Sequence, residues 1–263
     1  MIAKKEQLGM QTTSASLFPE VDRLDWSDLD GTASRCEAML REIAGDRDLM
    51  TALVYGAPAD PVLWSKCEED AVEDKIVLCD DPERQFRLRL RLSKQYQEEL
   101  AHQHRFSFST LVLRGRYLHR TYRVSGDFDA GTSLDDVVPV WIHEDGPGDV
   151  FTIHHEAVHS TPLVEAGTVS LILRGPAEKE RAPVLFREDR ASELSADEQA
   201  EALAGAVPGE FEPLEASAGT FFWRVGEQGE SATRRSKRQM RREVFEQWCR
   251  ELIAMGVIED RLS

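Results

Sequence analysis

Several things are scarce in this sequence, and each scarcity excludes something. Only four of the 263 residues are cysteine, and Cys36, Cys67, Cys79 and Cys249 show neither C-x-x-C spacing nor a dense framework. A disulfide scaffold and a zinc ribbon are therefore excluded, and reduced, buried thiols are expected. No apolar run approaches the roughly 20 residues that cross a bilayer, so no membrane partner is expected. Positive charge is the minority sign: Lys plus Arg total 32 against 48 Asp plus Glu, a formal net charge of −16. A chain this acidic has no general hold on phosphate backbones or anionic lipid, which argues against nucleic acid as a partner. Behind Lys4 and Lys5 there is no apolar stretch. No secretory leader is expected, and the expected location is cytoplasmic.

What is present is an ordinary globular balance, with 41% hydrophobic and 30% charged residues. The pattern divides the chain into three parts. Residues 1–84 form a helical N-terminal extension, with Cys36, Met39, Leu40, Ile43 and Leu49 at roughly helical spacing and a loop at residues 57–61. The acidic stretch from Glu68 to Glu83 is predicted to be a solvated face. At Gln85 the period changes to two: Phe86, Leu88, Leu90 and Leu92 alternate with Arg87, Arg89 and Arg91. Strand-like runs follow from Arg105 to Arg114, Arg116 to Val124, Val137 to Ile142, Asp149 to His154 and Thr168 to Arg174, punctuated by glycine turns. Short strands without alternating helices predict a mainly β sandwich or barrel core over residues 85–187. A faint echo, Leu113-Arg114-Gly115 and Leu173-Arg174-Gly175, fits two similar halves. Residues 188–263 form a C-terminal extension. Its helix start is placed at Ser195-Ala196-Asp197-Glu198, a last strand at Phe221-Phe222-Trp223, and a terminal helix from Arg234 to Met255 closed by Gly256.

Seven histidines carry the chemical argument. His102 and His104 form an H-x-H pair, and residues two apart on a strand face the same side, so both imidazoles can reach one ion. The third ligand is expected from His159. Three neutral imidazoles suit Fe(II), Zn(II), Cu(II), Ni(II) or Mn(II), with open positions for substrate. His155-Glu156-Ala157-Val158-His159 also matches the zinc-protease pattern H-E-x-x-H, which needs a helix. A β-rich run before it and Pro162 after it leave little room for one.

The stretch from Ala101 to Gly115, with His102, His104 and a well-spaced glycine, resembles the first motif of the cupin superfamily. The stretch from Ala157 to Thr161, before the apolar strand ending at Gly175, resembles the second, which supplies one more histidine. The resemblance implies a cupin-type barrel (a double-stranded β-helix, or jelly roll) with helical N- and C-terminal extensions. Where the first motif has a glutamate this chain has Phe108, or Ser109 with a slipped register, so the site is similar to the three-histidine branch typified by cysteine dioxygenase. That implies a non-haem Fe(II) oxygenase using O2 on a small amino-acid-like or carboxylate-bearing substrate, with Zn, Mn or Ni as other candidate metals. Neutral ligands leave the ion its full charge, which favours an anionic substrate. The alternatives are a redox-neutral cupin isomerase or lyase, and a non-catalytic cupin ligand-binding protein.

Around the metal, Phe106 and Phe108 share the strand face of the histidines and are expected to line the interior. His119 and Tyr117 share one face of the next strand and are the candidates for proton transfer. Arg89, Arg114 and Arg174 are the candidates for a bidentate grip on a substrate carboxylate. His143 is placed in a loop. The basic run from Arg234 to Arg242 is expected to pair with acidic residues of this chain or of a second subunit, and the helical extensions could serve a homodimer.

Overall fold

The computed structural model describes residues 18–95, 101–129, 131–185, 211–213, 221–225 and 236–262. The expected helix start at Ser195 to Glu198, and Arg234 and Arg235 of the basic run, lie outside these residues.

The N-terminal helices are bounded by aspartate caps, which satisfy the free N–H groups of a first turn. Asp28 caps helix α1 (Leu29–Gly45), whose buried side is Thr32, Cys36, Met39, Leu40 and Ile43. Asp46 ends α1 and caps α2 (Arg47–Gly56) through its side chain. Asp60 caps the single turn α3 (Pro61–Trp64). The terminal helix α4 (Arg242–Ala254) is shorter than the pattern suggested, because Arg241 is extended and Gln239 bridges to Glu68. Gly256, at φ +75°, follows it as expected.

The strands are β1 (Glu73–Asp81), β2 (Phe86–Ser93), β3 (Phe108–Arg114), β4 (Tyr117–Val124), β5 (Val137–Asp145) and β6 (Val150–Ile153). They continue with β7 (His159–Val164), β8 (Val169–Arg174), β9 (Arg181–Leu185), β10 (Phe211–Pro213) and β11 (Phe221–Val225). All pairing is antiparallel, in a five-stranded sheet β1-β2-β8-β3-β6 and two three-stranded sheets, β5-β4-β7 and β10-β11-β9. A mainly β chain with helices at both ends is what the alternating pattern predicted.

Two expectations need correction. The stretch from Glu68 to Glu83 is no solvated face, because it contains β1, with Ile76, Val77 and Leu78 buried. Its carboxylates are neutralised: Glu73 pairs with Arg91 across the sheet and Lys75 on its own strand, and Asp80 with Arg87 across the sheet and Lys66 from the preceding turn. Charge patterning reads one segment at a time and cannot see cations arriving from another strand. His143 is not in a loop either, since β5 runs on to Asp145 and pairs it opposite His119.

The two faces of the five-stranded sheet have different tasks. One carries Leu88, Leu90, Leu92, Leu111, Leu171 and Leu173, which join Leu40, Met50 and Leu252 of the helices in the main hydrophobic cluster. The other turns Arg87, Arg89, Arg91, Thr110, Ile172 and Arg174 toward the second sheet, as the period of two requires. The buried apolar cluster between the sheets is small: Val112, Tyr117 and Val164, with Phe151 against it. Helix burial therefore carries the hydrophobic stabilisation, and the space between the sheets is free to be polar.

The echoed glycines serve different ends. Gly115 turns the chain at φ +77°, and a Cβ there would lie 2.2 Å from Thr168 Oγ1 and 2.7 Å from its Cα. Gly175 has ordinary φ, but a Cβ would meet the Trp26 indole at 2.4 Å. Gly115→Ala is expected to lower the stability by about 2 to 3 kcal/mol, from left-handed strain plus the backbone clash. Chemical denaturation measures this, and a loss under about 0.5 kcal/mol would show that the turn relaxes freely.

Candidate metal centre

The centre is built where one short segment stitches two sheets together. His102 forms isolated bridges with His159 at the start of β7 and with Val184 in β9. His102 N donates to His159 O at 2.9 Å and His159 N to His102 O at 3.1 Å, so the two backbones exchange both hydrogen bonds and place their side chains opposite each other. Gln103 N donates to Pro183 O and Leu185 N to Ala101 O, which fixes the same segment to β9. The H-x-H pair is thus not part of the strand expected from Arg105, because β3 begins only at Phe108. The convergence survives because His104 follows His102 by two residues past the bridge.

The three imidazoles meet at their Nε2 atoms. His104 Nε2 lies 3.1 Å from His102 Nε2 and 2.8 Å from His159 Nε2. Metal bonds of about 2.1 Å at right angles separate neighbouring ligands by about 3.0 Å, so these spacings fit three adjacent positions on one divalent ion. His102 is 1% and His159 3% exposed, and His104 is half-buried, leaving one side of the group for a further ligand. Phe108 packs edge-on against His104, ring centroids 4.6 Å apart, and Phe106 lies 6.0 Å from His104.

Beyond the triad a second polar group enters from the facing sheet. His119 is buried, its ring 5.9 Å from that of His159 and 4.3 Å from Phe151. Its Nδ1 donates to Asp145 Oδ2 at 2.5 Å, and His143 Nε2 lies 3.0 Å from the same oxygen. A carboxylate only accepts, so His119 Nδ1 is the donor in this contact. Tyr117 stacks on His119 at 5.7 Å and shares a hydrogen bond with Ser170 across the sheets. His119, His143 and Asp145 also stand close enough to share an ion. Asp145 was missed from the sequence. The only signal was His143-Glu144-Asp145, which puts both groups on one face of a strand if β5 is read two residues longer.

The arginines separate. Arg174 lies over the Phe106 ring at 4.6 Å, beside the triad. Arg89 is on the inter-sheet face of β2. Arg114 sits at the far end of β3 from Phe108, bound to Glu251 of α4 and the Gly167 carbonyl. The H-E-x-x-H stretch is not helical: His159 opens β7, while His155 lies beside Ser107, His154 and Glu156. Arg238 and Arg241 of the basic run pair with Glu68 and Glu69. Burial pushes the thiols of Cys36 and Cys67 up to about 11 and of Cys79 and Cys249 up to about 12, so none is a nucleophile at neutral pH.

No protein-family model matches the chain, and no curated protein matches it. Among solved structures, KdgF from Halomonas sp. aligns at 14% identity over 47% of this chain and 91% of its own, with a TM-score of 0.31. An RmlC-like cupin from Shewanella frigidimarina aligns at 16% identity over 47% of this chain and 86% of its own, with a TM-score of 0.31. The DMSP lyase DddQ from Ruegeria pomeroyi aligns at 13% identity over 42% and 50%, with a TM-score of 0.30. What the chain does is therefore argued from its own side chains.

Proposed function

We propose that this protein is a cupin-type metalloenzyme that holds Fe(II) through His102, His104 and His159 and oxidises a small carboxylate-bearing substrate with O2. The observation that carries the reading is the meeting of three imidazole Nε2 atoms, two of them on buried residues, at 2.8 and 3.1 Å. When bound, the ion would supply Lewis acidity and one-electron chemistry toward O2. The remaining work falls to the side chains around it. Phe106 and Phe108 cover one flank of His104 and keep water from it. Asp145 anchors His119 through Nδ1, so in the neutral ring Nε2 is the nitrogen that can take a proton from a substrate group between the sheets. Tyr117 fixes the plane of the His119 ring by stacking on it, and Ser170 fixes the Tyr117 hydroxyl.

A redox-neutral isomerase or lyase at Zn, Mn or Ni is the second reading, because imidazole donors also accept those ions. Loading the protein with each metal in turn and following O2 consumption over a panel of small carboxylates separates the two. Turnover with iron that consumes O2 is expected. Turnover that proceeds unchanged without O2 would overturn the oxidative reading, and no metal uptake from any ion would leave only a ligand-binding protein.

A further inference from the structure

Strand β5 carries donors that the triad does not use. Its register on β4 sets His143 opposite His119 and Asp145 opposite Tyr117, and by the period of two these four side chains share one face of the sheet. Asp145 is 7% and His119 2% exposed, and His143 is half-buried on an edge strand. One oxygen is the focus: Asp145 Oδ2 lies 2.5 Å from His119 Nδ1 and 3.0 Å from His143 Nε2. Among the described residues no lysine or arginine pairs with Asp145, whose ion-pair partners are these two imidazoles. The buried carboxylate therefore has no permanent cation paired with it.

A buried anion without a compensating cation costs several kcal/mol. A divalent ion compensates it, and the two ring nitrogens that already face its oxygen complete a set of two imidazoles and one carboxylate. Bonds of about 2.1 Å place neighbouring donors about 3.0 Å apart at right angles and about 3.4 Å apart in a tetrahedron. The His143 contact fits as it stands. The His119 contact must lengthen by about half an ångström, as the ion replaces the Nδ1 proton. All three donor atoms lie within 4.8 Å of one another, and the set shares no residue with His102, His104 and His159. We infer that His119, His143 and Asp145 form a second divalent-cation site, open to borderline ions such as zinc and cobalt(II). Iron(II) stands below cobalt(II) in affinity for such donors and must also displace the proton, so it is held there weakly and lost on desalting. The consequence of the site, though not its existence, rests on the proposed function. With an ion on Nδ1 the neutral His119 ring keeps its proton on Nε2 and no longer accepts one, so an occupied site switches the proton transfer off.

The test is equilibrium dialysis of the full-length protein against cobalt(II) at neutral pH, with bound metal counted and its absorption recorded. Wild type should hold about two cobalt ions per chain at saturation, His102→Ala about one, and His102→Ala/His143→Gln none. Glutamine keeps the bulk of histidine without its ring nitrogen, and circular dichroism checks that each variant is folded. In the His102→Ala background, Asp145→Asn should raise the cobalt midpoint more than about tenfold, the least that loss of an outer-shell partner costs. His143→Cys places a thiolate donor at the same position and should restore the ion with a sulfur-to-cobalt absorption band, which a merely structural role for His143 would not produce. His155→Ala should keep both ions, because His155 belongs with His154 and Glu156. A wild type that binds one ion, lost in His102→Ala, would overturn the second site and leave the triad. One ion that survives His102→Ala but not His143→Gln would support the second site and overturn the triad. A second ion that survives His143→Gln, or disappears in His155→Ala, would lie elsewhere and overturn the assignment.

Discussion

Replacing His102, His104 or His159 singly by alanine will strip the protein of its ion. Wild type loaded with Fe(II) and desalted should retain about one iron per chain, and each variant less than about a tenth of that, since an open three-imidazole site loses a third of its donors. The loss should be equal for the three positions, because His104 stands 3.1 and 2.8 Å from its two neighbours and no member is peripheral. His155→Ala is the control. It removes the first histidine of H-E-x-x-H, yet His155 groups with His154 and Glu156 and not with the triad. Iron retained at full stoichiometry in His102→Ala, or lost in His155→Ala with His102→Ala unaffected, would reverse the assignment. Elemental analysis reads the result directly, and circular dichroism of each variant excludes loss of the fold as the cause.

The second large effect lies where the terminal helix meets the first strand. Asp74 of β1 is 0% exposed, and three donors converge on its carboxylate: Trp248 Nε1 of α4 at 2.6 Å, Lys94 Nζ at 2.7 Å and the Asp70 backbone N–H at 3.0 Å. Asp74→Ala deletes the one acceptor that all three share and strands the indole N–H, so a loss of about 3 to 5 kcal/mol is expected. Trp248→Phe removes only one donor and keeps most of the apolar contact, so it should cost about 1 to 2 kcal/mol. Urea denaturation gives both numbers. If Asp74→Ala cost no more than Trp248→Phe, helix α4 would be held by apolar contact alone and the carboxylate would be incidental.

Much of the fold was legible because its signals are local. The alternation of leucine and arginine from Phe86 to Leu92 is a strand with one polar and one apolar face, and that is how β2 is used. What the alternation left open was which partner each face would meet. The leucines turn outward onto the helices, and the arginines turn inward. Alternation reports that two faces differ, not which partner each one meets.

The triad was legible for a partly mistaken reason. An H-x-H pair on a strand was expected, whereas His102 belongs to a three-residue bridge and His104 to no strand at all. Both positions still lie on one side, because the bridge imposes extended backbone at His102 and the next but one residue follows. Asp145 could not be found this way. Its significance depends on the register that sets His143 opposite His119, and register is a property of two strands together.

The sequence by itself determined the local matters: the strands from Phe86 onward, the glycine turns, the aspartate caps of the N-terminal helices and the choice of three imidazoles as donors. These follow from the geometry of residues close together in the chain. Only the tertiary structure decided that the acidic run around Glu73 is a buried strand, that Asp145 rather than a loop neighbour orients His119, and that Arg87 and Arg91 meet Asp80 and Glu73. Each of those depends on which distant residue arrives opposite, and buried electrostatics is governed by that pairing more than by the charge of the segment itself.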